Sequence, residues 1–184
     1  MSHEVLNRNY LSPLKFDFSV DRLPNVNFFV QSVNIPGITI SALQQGTPFS
    51  DIPWHGDKVQ WEDLNVSFKV DENLRNWYEI FKWMNGLGFS QNLGQFNDLK
   101  TGQDTNLDGE KRSPLPPVGK IGHIFGQATL LVRSSTQNPI LAVNYKDVFP
   151  VSLSGITFDS TGDSVVEIGC DVVFKYDYYE IEHV

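Results

Sequence analysis

DLNVSFKV, residues 63–70, alternates polar and apolar side chains at every position, and LRNWYEIFKWMNGL, residues 74–87, repeats apolar ones every three or four. In the first stretch Leu64, Val66, Phe68 and Val70 share one face, the period-2 pattern of a half-buried strand. In the second, Leu74, Trp77, Ile80, Phe81, Met84 and Leu87 fall on one stripe, as an amphipathic helix requires. Asp71, Glu72 and Asn73 stand at the join, where a side-chain acceptor and negative charge suit the exposed N–H groups of a helix start. No second segment reads as a helix with comparable clarity, so the expected fold is mainly β with one α-helix, built as a sandwich or barrel.

Working outward, Leu14, Phe16, Phe18 and Val20 mark a first strand, and Val26 to Asn34 reads as a second, stopped by Ile35-Pro36-Gly37. Ile38, Ile40 and Ala42 predict a short third strand. Thr47 to Lys58, with two prolines and a glycine, reads as a loop with a brief strand around Ile52. Residues 1–12 read as a polar arm, and Gly88 to Gly122, with six glycines and three prolines, as a long loop excursion from a single domain spanning 1–184. Beyond it, strands are expected around Ala128–Val132, Ile140–Tyr145 and Ser152–Phe158. Turn-rich Ser134–Asn138 and Asp159–Asp163 would join neighbours as hairpins.

Val166, Ile168, Cys170, Val172, Phe174, Tyr176 and Tyr178 form the longest alternation. The thirteen residues from Val166 to Tyr178 would reach roughly 40 Å at about 3.3 Å each, so the strand either bends, with Gly169 the candidate, or runs into a larger sheet. One helix of this size cannot cover six or more amphipathic strands. Their apolar faces must pack sheet on sheet or against another subunit, and their edges need partners, which together predict a homo-oligomer.

Composition narrows function. Fourteen Lys and Arg against 22 Asp and Glu give a net charge of −8, which opposes adhesion to phosphate backbones or anionic lipid. Cys170 is the sole cysteine, so intrachain disulfides and cysteine zinc cages are excluded; on the apolar face of its strand it reads as a small buried hydrophobe. Neither a secretory leader nor a membrane span is expected.

Asp104, Asn106 and Asp108 match the first half of a calcium loop, but the twelfth position is Leu115 in place of the bidentate Glu, so a solvated turn is the better reading. His3, His55, His123 and His183 have no second ligand at metal spacing. Asn65-Val66-Ser67 is a glycosylation sequon by chance, mid-strand. No nucleophile elbow or phosphate cradle is present, and catalysis and cofactors are not expected.

DIPWHGDKVQWEDLNVSFKVDENLRNWYEIFKWMNGLGF, from Asp51 to Phe89, resembles the central block of tail tube proteins of contractile-tailed bacteriophages. Asn34-Ile-Pro-Gly37, Phe149 to Ile156 and the closing Val172 to Ile181 are similar to further features of that family, so the resemblance runs from about Leu14 to Ile181. It implies a virion protein assembled in the host cytoplasm. Six copies would form a ring in which four strands per subunit close a β-barrel around a channel, with rings stacked inside a sheath. The implied partners are other copies of the chain, the sheath, tape measure, baseplate and terminator proteins, with DNA only in transit through an acidic lumen. Asp71, Glu72, Asn73, Trp77, Asp171, Lys175, Asp177 and Tyr179 are the structural and oligomer-contact candidates on this reading. A tube initiator or terminator remains an alternative within the class. Outside it stands a monomeric sandwich binding glycan through Trp54, Trp61 and the long loop.

Overall fold

The computed structural model describes residues 11, 14–27, 29–88, 92–101, 124–134, 136–159 and 167–184. In chain order the elements are β1 (Phe16–Val20), α1 (Pro24–Asn27), β2 (Val30–Val33), β3 (Ile38–Gly46), β4 (Asp51–Trp61), β5 (Leu64–Lys69), α2 (Arg75–Gly88), α3 (Leu93–Thr101), β6 (Gly126–Arg133), β7 (Pro139–Leu153), β8 (Gly169–Lys175) and β9 (Tyr178–His183). The protein is mainly β, and every strand pair is antiparallel.

One hydrogen-bonded path runs β1-β6-β7-β8-β5-β2, with β9 also on β7. β7 divides it. Up to Val148 this strand pairs β6 and β9, and from Phe149 it pairs β8, so two four-stranded layers, β1-β6-β7-β9 and β2-β5-β8-β7, share a single strand. The alternation seen in sequence sorts the faces. Leu64, Val66 and Phe68 of β5, Cys170, Val172 and Phe174 of β8, and Ala128, Leu130 and Val132 of β6 all enter one core.

The corner in β7 lies at Asp147, whose φ of 54° is left-handed backbone. The neighbouring chain turns the same corner. Lys175 pairs Phe149 and Tyr178 pairs Lys146, while the intervening Asp177 N–H donates to the Lys146 carbonyl at 3.0 Å. The long closing alternation is thus two strands, broken at Tyr176–Asp177 and not at Gly169, because its partner changes layers there. Conversely, Ile140–Tyr145 and the start of the Ser152–Phe158 stretch belong to one 15-residue strand. The Ser134–Asn138 hairpin forms as expected, closed by Ser134 N–H to the Asn138 carbonyl at 2.8 Å. The Asp159–Asp163 turn lies outside the described residues from position 160.

Three other expectations change. Val26–Asn34 is not one strand: Pro24 opens a helical turn, and the Asn27 side chain accepts from Val20 N–H at 2.8 Å and donates to its carbonyl at 3.2 Å, turning the chain out of β1 before β2 begins. Helix α2 is rotated relative to the predicted stripe. Its buried residues are Asn76, Glu79, Ile80, Trp83 and Gly86, while Trp77, Met84 and Leu87 flank the core and Phe81 is 41% exposed, stacked on Trp77 at 5.2 Å. Trp83 takes the centre, where its N–H reaches the Ile124 carbonyl at 3.0 Å and the Arg22 guanidinium lies 5.0 Å from its ring centroid. Finally, α3 falls inside the stretch read as a loop. A Cβ at Gly86 would lie 3.1 Å from Leu99 Cδ2, so the missing side chain is what lets α3 lie against α2.

Asp147→Val is expected to destabilise the fold by about 1–2 kcal/mol, because a β-branched residue resists left-handed backbone, whereas Asp147→Gly should be near neutral. Chemical denaturation of the two variants checks this.

Candidate assembly interface

β3 and β4 pair only with each other among the described residues and form a second, two-stranded sheet. Nearly every residue in it is exposed. The sequence reading made this stretch a short strand and a crossing loop. Its breakers are real, but a lone hairpin accommodates them. Pro53 sits on a strand with a free edge, where a missing N–H costs nothing, and Gly56 sits in a bulge. A Cβ at Gly56 would lie 2.5 Å from the Ser41 carbonyl oxygen, so only glycine fits. Register pairs Ile38 with Trp61 and Ile40 with Val59 near the base, and Leu43 with Trp54 and Gln45 with Ile52 toward the tip. Phe49, at the turn, is 98% exposed. An isolated hairpin is marginal in water, and so many exposed apolar side chains on one mark a surface made to be covered. We call it the tongue.

Its root is held by hydroxyls and aromatic rings. Asn34 leaves β2 with its amide donating to the Asp63 carbonyl at 3.0 Å and its oxygen accepting from Asn65 N–H at 2.6 Å. The Tyr179 hydroxyl donates to the Pro36 carbonyl at 3.1 Å, just before β3, and the Tyr176 hydroxyl donates to the Glu62 carbonyl at 3.0 Å, just after β4. The Glu62 carboxylate in turn accepts from Gly37 N–H at 3.2 Å. Trp61 fills the angle between the tyrosines, 4.8 Å from the Tyr179 ring and 6.3 Å from that of Tyr176. Behind them lies Tyr145, 5.2 Å from Tyr176 and fully buried, its hydroxyl without a hydrogen-bond partner among the described residues. Burial raises both phenols, Tyr145 well above the usual range and Tyr176 to about 12.

Of the sequence candidates, Tyr179 belongs to this clamp. Asp171 and Lys175 lie on the polar face of β8, where Asp171 accepts from the Ser67 hydroxyl at 2.6 Å and Lys175 pairs with Asp63; Lys69 pairs with Glu167 on the same face. Asp177 marks the corner. Trp77 donates to the Ser154 carbonyl at 3.2 Å on the opposite flank, away from the tongue root. The acidic cap does not serve the helix as expected: α2 starts at Arg75, after Leu74 at φ 57°, and Asn76 accepts from Trp77 N–H at 2.8 Å, while Asp71 Oδ1 is buried without a partner among the described residues. Glu72 and Asn73 are exposed at that turn. Asp104, Asn106 and Asp108 lie outside the described residues, and among the described ones no group of three or more potential metal ligands gathers.

No family model matches the chain. A protein named tail tube terminator protein, from Enterobacteria phage T4, is 29% identical over 155 residues, 83% of this chain and 76% of that protein. Among solved structures, a chain of the sheath/tube terminator of an extracellular contractile injection system, PVC, superposes with a TM-score of 0.60 at 15% identity, over 96% of this chain and 99% of that one. A chain of the tube terminating cap of the anti-feeding prophage gives 0.59 at 12% identity, over 99% and 97%. This chain has the tail tube fold.

Within that fold, the tongue and its clamp escaped the sequence reading. Trp61, Tyr145, Tyr176 and Tyr179 lie far apart along the chain, and nothing in their spacing announces that they meet. The tongue had a signal, apolar residues at 38, 40, 43, 52, 54 and 59, obscured by Pro53 and Gly56.

Tyr176→Phe and Tyr179→Phe should each loosen the root by about 1 kcal/mol and speed protease cleavage at residues 47–50, whereas Tyr145→Phe, which removes an unsatisfied hydroxyl, should be neutral or stabilising. Limited proteolysis alongside denaturation separates the two classes. Because the folded clamp favours the protonated Tyr176 phenol over that of the unfolded chain, its contribution is complete below the ordinary value of 10.0 and is lost as pH rises toward about 12. Tyrosinate absorbance followed together with unfolding checks this window.

Proposed function

We propose that this chain is a structural protein of a contractile tail and that it forms the ring terminating the tube, in preference to being the tube's repeating subunit. The observation that carries this reading is the 29% identity, over most of both chains, to a protein named tail tube terminator; the likeness to two terminator structures supports the fold it requires. The role is architectural, and no catalysis is assigned to it.

The geometry supports a ring. β1 and β9 bound one layer and β2 bounds the other, each with one strand partner among the described residues, so pairing of edges between copies would continue a sheet around a circle. The outward face of β5 and β8 is polar, as a channel wall must be. Its charges are nearly balanced, with Lys69 against Glu167 and Lys175 against Asp63, leaving Asp171 on Ser67. On this reading DNA passes a wall that is wet and self-paired, more than one that is strongly acidic. Partners are the tail components a terminator meets, tube and sheath, and the place of action is the virion tail.

The purified protein, sized in solution and imaged by negative stain, is expected as closed six-membered rings that add to the ends of tubes and do not propagate. Long hollow filaments would instead favour the repeating tube subunit, and a stable monomer that binds glycan would overturn both.

A further inference from the structure

We propose that residues 5–10 of this chain dock in an apolar slot at the seam of their own sandwich, between β1 and β2, with Leu6 as the anchor. The claim goes beyond the ring reading and does not depend on it, because it concerns a single chain folded by itself.

The two layers are joined along β7, and on the opposite side the bordering strands, β1 and β2, have one strand partner apiece among the described residues. A sandwich closed along one side by a shared strand stays open along the other. The slot lies in that opening. It has a volume of about 320 Å³, with Phe16 of β1 and Val33 of β2 as walls and Leu130 and Val132 of β6 as floor. The floor residues belong to the main core, so an apolar segment laid over them would continue that core outward. At about twice the ~150 Å³ that accepts a benzene-sized ring, the slot has room for a leucine and part of the chain that carries it.

The chain itself supplies the occupant. Leu11, the first described residue, lines the slot and is 66% exposed, so the chain arrives there with an apolar side chain still partly uncovered. The residues just before it, VLNRNY at 5–10, bring Val5, Leu6 and Tyr10. Five steps from Leu11 to Leu6 reach about 16 Å at about 3.3 Å each, the length of the five-residue β1, so Leu6 can enter the slot without the chain doubling back. A segment tied to its site by so short a stretch is present there at an effective concentration on the order of millimolar, which favours the chain's own residues over those of a free copy. Docked side chains would cover Phe16, Val33 and Ile35, which are only partly buried by the described residues, and would leave the backbone edges of β1 and β2 unclaimed.

Arg8 is the one lysine or arginine among residues 1–10, so trypsin cleavage after it reports on docking. In the full-length protein this cut is expected to be at least about tenfold slower than in a synthetic peptide of residues 1–14, as burial of one leucine implies, and equally slow on dilution from micromolar to nanomolar chain. Leu6→Ser on the segment and Ile35→Ser in the slot should each bring the rate close to that of the peptide, and the double variant should be no faster than the quicker single one. Ser32→Trp, which fills the slot from an exposed position, should act as Ile35→Ser does. Cleavage of the wild type at the peptide's rate overturns the proposal, as does slow cleavage that the slot variants leave unchanged. Protection that fades on dilution places the segment on another copy and overturns it too. Sizing the same samples keeps the two readings apart: rings with an unprotected Arg8 sink this inference alone, and a protected Arg8 in a chain that never forms rings sinks only the ring.

Discussion

The two four-stranded layers turn their apolar inner faces to one another, and this sets the rest of the architecture. Leu64, Val66 and Phe68 need Leu130, Val132 and Tyr145 near them, and Trp83 of α2 closes the remaining gap. Burial of side chains of this size is worth on the order of 1.5–3 kcal/mol each, more than any surface ion pair here contributes. A single strand enforces the arrangement. Since β7 belongs to both layers, the layers cannot separate or change register without breaking it at Asp147, and the β8–β9 segment must turn the same corner beside it.

What could be read in the sequence follows from this. Period-2 alternation in β1, β5, β6 and β8 directly records which residues see the core, and each was legible because one face of each strand is buried. The corner was not. Alternation runs through Cys170, Val172, Phe174, Tyr176 and Tyr178 without a flaw, and the break comes from the neighbouring strand's change of layer, a long-range fact. Helix α2 was legible in extent and misjudged in rotation, because Asn76 and Glu79 are polar yet buried. Asn76 satisfies the Lys69 carbonyl at 2.7 Å, and Glu79 accepts from Asn25 at 2.8 Å. Pattern reading treats such residues as solvent-facing.

Outside the core, polarity is distributed unevenly. The outward faces of both layers are closed off by their own pairings, Asp17 with Arg133 and Thr129 with Asn144 on one, Asp63 with Lys175 and Lys69 with Glu167 on the other. Such faces offer little to an adhesive partner. The tongue is the reverse, apolar and, among the described residues, paired in strand only with itself. An assembly built from this chain would therefore gain most of its cohesion at the tongue and the sheet edges, and leave its broad faces wet.

The clamp at the tongue's root has a mechanical meaning. Tyr179 rises from β9, in one layer, and Tyr176 from the end of β8, in the other; each grips a different foot of the tongue. A load applied at the tip is split at its base and delivered to both layers at the corner they share. The tongue is in that sense a lever whose two feet are tied to different layers, so that neither layer alone carries a load placed on it.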